Sequence, residues 1–292
     1  MRRTIPLLLT LVLATACSRT AAMNKPNPAD SAHVDAMARM HANETPAPNA
    51  SAAEPRRPVT AEEVTYATVD GKPVRGYLAR PSGGAGNNLP ALVVIHEWWG
   101  LNDNVRMMTR RLAGEGYQAL AVDLYGGEAA ATPAQATALM RASMANPAGG
   151  QDNLKQAAAY LRSRGAPKLG VIGWCFGGGW SLESALFMPD QVDADVVYYG
   201  RPVTDRARLA ALRAPLLGLY GGLDQGIPVA TVRQMETELR ALGKNVDIHV
   251  YPDANHAFAN PSGQSYNPAA AEDAWRRTVV FFNQHLQHGA RR

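Results

Sequence analysis

Leu169-Gly170-Val171-Ile172-Gly173-Trp174-Cys175-Phe176-Gly177-Gly178-Gly179 is the stretch on which the fold turns. Leu169 to Gly173 has the pattern of a short buried strand, and Gly177 to Phe187 that of a helix. Between them lies Gly-x-Cys-x-Gly-Gly, a tight strand-to-helix turn with a cysteine at its tip. This is the nucleophile-elbow pattern, with Cys where Ser is usual. Side chains at Gly173 and Gly177 would collide with the neighbouring strand and helix. The N-terminus of the following helix is expected to lower the thiol pKa and to offer N–H groups to an anion. Taken alone, the stretch also fits a small buried hydrophobe in a tight connection.

Outward from it, apolar runs alternate with helical stretches. Ala91-Leu92-Val93-Val94-Ile95 is a continuous apolar run, as in a strand covered on both faces. Gln118 to Val122, Asp195 to Tyr199, Pro215 to Tyr220 and Val246 to Tyr251 read as further strands. Asp103 to Glu115, Pro133 to Met144, Asp152 to Arg164, Val229 to Leu242 and Pro268 to Leu286 read as helices. Glu63 to Val69 and Pro73 to Ala79 form a hairpin about Asp70-Gly71. Strands alternating with helices imply parallel strands joined by crossovers, hence a three-layer α/β domain with a mainly parallel sheet. Reactive loops in such sheets lie beyond the strand C-terminal ends.

Two more residues stand at such ends. Asp224 follows the apolar run ending Leu219-Tyr220-Gly221, and His256 lies between the last strand and the last helix. Alone, Asp224 fits a turn residue and His256 a loop histidine. Together with the elbow, the order Cys175, Asp224, His256 matches nucleophile, acid and histidine in the α/β-hydrolase fold. His256 would take the thiol proton and Asp224 would orient the imidazole. The other histidines form no metal-ligand spacing such as His-Glu-x-x-His, so neither a metal nor a cofactor is expected.

Val94-Ile95-His96-Glu97-Trp98-Trp99-Gly100-Leu101, Asp123-Leu124-Tyr125, Gly173-Trp174-Cys175-Phe176-Gly177-Gly178, Asp224 and Asn255-His256-Ala257-Phe258 together resemble the dienelactone hydrolase family. The likeness runs from roughly Thr60 to Leu286. It implies that Glu97 pairs with the resting thiol and shifts when substrate arrives, helping to deprotonate Cys175. A carboxylate against a buried thiol favours the neutral thiol until one group moves. The alternative for Glu97 is an ion pair with Arg106 or Arg110. The resemblance also maps the oxyanion hole onto the backbone N–H groups of Trp98 and Phe176. Trp99, Tyr125 and Asn260 fall where substrate contacts are expected. Type members of the family bind a substrate carboxylate with two arginines. Here Asp123-Leu124-Tyr125 continues into Gly126-Gly127-Glu128, and the position four past His256 is Asn260, so both arginines are missing. A buried carboxylate without such a partner is costly, which argues against an anionic lactone. Trp98, Trp99, Trp174, Phe176 and Trp180 crowd the elbow and suggest an aromatic-lined pocket, or simply core.

The expectation is a hydrolase of carboxylic esters or lactones that forms a thioester on Cys175. Three alternatives stay open at this point: a non-catalytic envelope protein with a redox-sensitive thiol, a tethered binding module, and acyl transfer to an alcohol or amine.

The chain has 292 residues, 46% hydrophobic, with a formal charge of +4. Met1-Arg2-Arg3, the apolar run Ile5 to Leu13 and Ala14-Thr15-Ala16-Cys17 follow the order of a secretory signal, and the run is too short to span a bilayer. Cys17 after small residues resembles a lipoprotein lipobox, with Ala14 where Leu is usual. Ser18 next to it suggests outer-membrane anchoring on the periplasmic side; a soluble periplasmic protein is the alternative. Loss of Arg2 and Arg3 would leave +2, so no basic stripe calls for nucleic acid. Residues 1–16 are read as the signal, 17–58 as a tether poor in large apolar residues, and 59–292 as the catalytic domain. Ser31 to His41 could form a short helix within that tether. The expected partner is a small ester or lactone, membrane contact comes only through the lipid, and a monomer is expected. With Cys17 lipidated, Cys175 is the single thiol of the mature chain, and a guarding Glu97 would protect it from oxidation. Metabolic labelling with a palmitate analogue should mark the wild type and not Cys17→Ala; label surviving that substitution contradicts the lipid anchor.

Overall fold

Ala91, Leu92, Val94, Leu120, Val122, Val171 and Ile172 are all within 1% of fully buried, so the strands carrying them must be covered on both faces. The computed structural model describes residues 28–44, 54–83 and 88–287. The expected signal at 1–16 and the expected lipid site at Cys17 lie outside the described residues. In chain order the described residues form α1 (Pro28–Met40), β1 (Val59–Val69), β2 (Lys72–Pro81), β3 (Ala91–Ile95), α2 (Asp103–Gly114), β4 (Gln118–Val122), α3 (Pro133–Ala145), α4 (Pro147–Ser163), β5 (Leu169–Trp174), α5 (Phe176–Phe187), β6 (Ala194–Tyr198), α6 (Arg206–Leu209), β7 (Leu216–Gly221), α7 (Val229–Ala241), β8 (Val246–Tyr251) and α8 (Pro268–Phe282).

The strands form one sheet in the order β1-β2-β4-β3-β5-β6-β7-β8. The β1–β2 hairpin and the β2–β4 pair are antiparallel. From β4 to β8 every pairing is parallel. This is the mainly parallel, helix-flanked sheet of the α/β-hydrolase fold, as expected. Burying each Val, Leu or Ile of the inner strands contributes about 1.5–3 kcal/mol. All six parallel strands point their C-terminal ends the same way, and a polar residue follows each one: Glu97 after β3, Asp123 after β4, Cys175 after β5, Tyr199 after β6, Asp224 after β7 and His256 after β8.

Two segments differ from expectation. α4 begins at Pro147, ahead of the expected Asp152, although Gly149-Gly150 disfavours a helix. Asn146 caps it by accepting from the Gly149 amide at 3.1 Å, and Pro147 suits the first turn. Within residues 17–58, where a short helix over Ser31 to His41 is expected in a tether, α1 begins earlier, at Pro28, and buries Val34 and Met37, one turn apart on one face. Asp35 of α1 also meets Arg141 of α3 at 2.6 Å. Two well-placed apolar side chains suffice to dock a helix whose average composition is polar.

At the elbow, Cys175 holds φ +54° and ψ −116°, a strained conformation for a residue with a Cβ. A Cβ on Gly173 would overlap the Gly177 carbonyl, and one on Gly177 would overlap the Ile95 carbonyl of β3. Both obstacles are backbone and cannot rotate away. Gly179, two residues on, is different: its nearest neighbour to an added Cβ is the Arg201 amide nitrogen at 3.7 Å. Gly173→Ala should therefore lose about 4 kcal/mol or more, or fail to fold. Gly179→Ala should be neutral or stabilising by up to about 1 kcal/mol, from helix propensity. Urea denaturation of the two variants checks the contrast, and equal midpoints would contradict it.

Candidate active site

The strained turn lifts the Cys175 side chain to the sheet's C-terminal edge, while its amide donates to the Tyr198 carbonyl at 3.0 Å. The thiol is 6% exposed. Burial, then the nearby Glu97 carboxylate, push its pKa well above the ordinary thiol range, and the Phe176 amide pulls weakly the other way. The expected lowering by the helix N-terminus is thus outweighed. A helix end is worth up to about 2 kcal/mol, whereas full burial can shift a group by several pKa units. At rest Cys175 is a neutral thiol.

Asp224 and His256 meet across the β7 and β8 loops. His256 Nδ1 lies 2.6 Å from Asp224 Oδ2, and the other carboxylate oxygen accepts from the Gly226 and Ile227 amides, each at 2.8 Å. The carboxylate is held from three sides and fixes the imidazole rotation. His256 Nε2 is buried and has no hydrogen-bond partner among the described residues. Ala257, next in sequence, has φ +57°. Cys175, Tyr199 and Ala257 are three of the four non-glycine residues with positive φ among the described residues. Backbone strain is thus concentrated at this edge, as at many functional sites.

Glu97 is 6% exposed, and both its oxygens are taken. Oε1 accepts from the Tyr199 hydroxyl at 3.2 Å, and Oε2 from the Asn260 side-chain amide. Burial lifts its pKa to about 7, against these two hydrogen bonds. Arg106, the alternative partner, instead pairs with Glu63 at 2.9 Å. His96, before Glu97, is fully buried. Its Nε2 accepts from the Leu124 amide at 3.1 Å, so Nδ1 carries the proton and donates to the Glu97 carbonyl at 2.6 Å. This locks the β3 loop to the β4 loop. Asp123 accepts from the Tyr125 and Gly127 amides. Its main chain is clasped by Tyr66, at the β1 bulge, and by Asn153 of α4.

The Trp98 and Phe176 amides expected to form the oxyanion hole follow Glu97 and Cys175 directly. Neither donates to a main-chain carbonyl among the described residues. Tyr125 packs on His96 and Phe176 with ring centroids 4.6 and 5.4 Å away. Its hydroxyl is buried without a partner, and it is close enough to Cys175 to feel the thiolate charge. Trp99 is buried against Trp98 at 4.8 Å and belongs to the core. Asn260 is held by Glu97, by Asn104 at 3.2 Å and by the Ser262 amide at 2.8 Å, so it positions Glu97.

A cleft of about 440 Å³ opens on Cys175. Phe176, Trp180, Met140, Met144 and Val203 give it apolar walls, and Arg201, Arg208 and Glu183 give it charge. Arg208 is ion-paired to Glu183, and Arg201 is likewise engaged. No motif marked these arginines, which come from the β6–β7 connection. Among the described residues no group of His, Cys, Asp and Glu is arranged to hold a metal. Sequence reasoning also missed Tyr199 and His41. Tyr199 stands at a strand end, the one signal that could have found it. His41 packs at 5.2 Å from the His256 ring and comes from α1's far end, where no strand-end rule applies.

Residues 74–286 match the model of the dienelactone hydrolase family. A protein of Methylorubrum extorquens named "Putative carboxymethylenebutenolidase" is 37% identical over 240 residues, covering 77% of this chain and 81% of its own. The solved structure "Putative Dienelactone Hydrolase from Klebsiella pneumoniae" aligns with TM-score 0.71 at 32% identity, over 78% of this chain and 100% of its own. A dienelactone hydrolase-like promiscuous phosphotriesterase from metagenomic libraries aligns with TM-score 0.71 at 25% identity, over 78% and 98%. The elbow, the buried Glu97 and the order of strand-end residues agree with that match: the chain belongs to the dienelactone hydrolase family and is a hydrolase acting on ester or lactone bonds.

Proposed function

We propose that the chain hydrolyses neutral carboxylic esters or lactones through a thioester on Cys175, with His256 and Asp224 completing a Cys-Asp-His triad. The observation that carries this is the 2.6 Å Asp224–His256 bond, which leaves His256 Nε2 buried and unpartnered at the strand-end edge that also carries the elbow cysteine. The Cys175 sulfur attacks the acyl carbon and its proton passes to the site base. The carbonyl oxygen, now negative, is held by the Trp98 and Phe176 amides. The C–O bond breaks as His256 protonates the leaving oxygen. Water, deprotonated by His256, then attacks the thioester, and the acid departs as the thiol is restored.

Glu97 governs the resting state. With its pKa near 7 beside a thiol whose pKa is raised, it keeps Cys175 neutral. Substrate that displaces Glu97 toward the sulfur lets it take the thiol proton and hand it to His256 Nε2, and this is the proton the leaving oxygen then receives. A neutral substrate fits because both family arginines are missing and Arg208 is already paired with Glu183. Cys17 is proposed as a lipid anchor that holds this domain, as a monomer, at the envelope's periplasmic face; the charged, apolar, small-residue order of the first residues supports it.

Cys175→Ala should lower kcat/KM for p-nitrophenyl acetate by about a thousandfold or more, and full retained activity would remove the nucleophile. In a panel of esters and lactones, neutral members should be preferred; faster turnover of anionic lactones would overturn the substrate class. Glu97 also makes a pH prediction. A carboxyl raised in the folded state keeps a proton that the unfolded chain releases between about pH 4.5 and 7. Stability therefore falls as pH rises through that window, by about 3 kcal/mol from this group alone. Glu97→Gln should lack this loss and be more stable than wild type above pH 7, with the gap closing toward pH 4.5. Urea midpoints across that range decide it, and parallel curves would show that Glu97 is not the group titrating.

A further inference from the structure

α1 ends at Met40, and the turn that follows carries His41 into the catalytic edge. The His41 amide donates to the Met37 carbonyl and the Glu44 amide to the His41 carbonyl, each at 3.0 Å. Asn43 is tied through its carbonyl to Gln264, beyond His256, at 3.3 Å. Met40 reaches the site of a Cβ on Gly226 in the Asp224 loop. The segment is thereby fastened to both loops that hold the Asp224–His256 pair. His41 is 3% exposed. Its ring lies 5.1 Å from Trp98 and 5.2 Å from His256, edge-on to the latter at 60°.

Apolar packing alone explains the position poorly. His41 Nδ1 lies 2.8 Å from Glu44 Oε2, an ion-pair distance without the hydrogen-bond geometry that joins His256 to Asp224. Both ring nitrogens of His41 are buried without a hydrogen-bond partner, and so is His256 Nε2. Such orphans are costly, and in contacting rings they are unusual unless something polar is meant to join them. The oxygen that leaves as alcohol must come to His256 Nε2, and by microscopic reversibility the attacking water takes the same place. Glu97 feels His41, and Cys175 feels Glu44, electrostatically, so both lie within reach of the reacting groups.

We propose that His41, with Glu44 at its side, is a substrate-binding residue of the active site that hydrogen-bonds, beside His256, the oxygen leaving as alcohol and the water replacing it. The inference rests on the thioester reading above. It makes the segment ahead of the family-matched residues a working part of the site. No new bond is made or broken: His256 still moves the proton, and His41 fixes the oxygen that receives or gives it.

The test uses the full chain and two acetate esters, ethyl acetate with a poor leaving group and p-nitrophenyl acetate with a good one. His41→Ala should lower kcat/KM for ethyl acetate about tenfold or more, and for p-nitrophenyl acetate less than about threefold, because only the poor leaving group depends on a fixed proton path. His41→Gln, which keeps a hydrogen-bonding group, should recover most of the loss, and Glu44→Gln should lie between. Iodoacetamide alkylation of Cys175 should stay within about twofold of wild type, which a distorted site would not allow. If His41→Ala does not fold, the ratio of the two esters in His41→Gln and Glu44→Gln carries the same comparison. Equal losses on both esters, or none on either, overturn the role of His41 alone. A wild type that hydrolyses neither ester overturns the thioester reading, and this inference with it.

Discussion

At the elbow, β5 delivers Cys175 into a turn so tight that the backbone of α5 occupies the space a side chain at Gly173 would need. Everything else at the site is arranged around that contact. Gly177 brings α5 against the end of β3, which fixes the distance between the Cys175 loop and the Glu97 loop. Phe176 and Trp98, whose amides are proposed to hold the oxyanion, directly follow the two residues so spaced. The strain at Cys175 is not relieved locally; it is held by the Cys175 amide on the Tyr198 carbonyl and by the fully buried strands on either side. A softer sheet would let the turn relax and would lose the geometry with it.

The elbow also determines the electrostatics, because it places the thiol where water is scarce. Two opposed effects act on Cys175, and burial wins over the helix end. The same dryness raises Glu97 and keeps His96 neutral, the latter shown independently by the Leu124 amide donating to its Nε2. A resting site of uncharged thiol and half-protonated carboxyl avoids two buried anions side by side, which would be far costlier. Asp224 stays in place against His256 Nδ1, held by the Gly226 and Ile227 amides. On the proposed mechanism, reactivity is a matter of moving Glu97 by a short distance, against hydrogen bonds from Tyr199 and Asn260.

How much of this could be read from residues alone follows the range of the interactions. Strands such as Ala91–Ile95 and Gln118–Val122 were legible because burial on both faces leaves a continuous apolar run. The strand-end placement of Cys175, Asp224 and His256 was legible because each follows an apolar run in a set order. α4 was missed over its first turn, since one Asn146 side chain reverses what Gly149-Gly150 suggests. The hydrogen bond from Asn260 to Glu97 was not legible, since the two lie 163 residues apart and no spacing rule spans that. The raised thiol pKa was likewise invisible, because desolvation is a property of the assembled site and the helix dipole is a property of the local chain.

His41 makes the same point from the other direction. Composition argued that residues before the sheet could not offset their ordering entropy, and averaged over the segment that argument holds. Averages do not dock helices, however; Val34 and Met37 do, and the turn after them needs only to be short. Once α1 is held against α3, the turn after Met40 is brought near the Asp224 and His256 loops, and the polar residues it carries are dried by the same surfaces that dry the thiol. An ester bound there would meet protein on the His256 side where a bare sheet edge would offer it solvent. The chemistry belongs to the strand ends, but the shape of the space in which the leaving alcohol departs is set in part by this short helix.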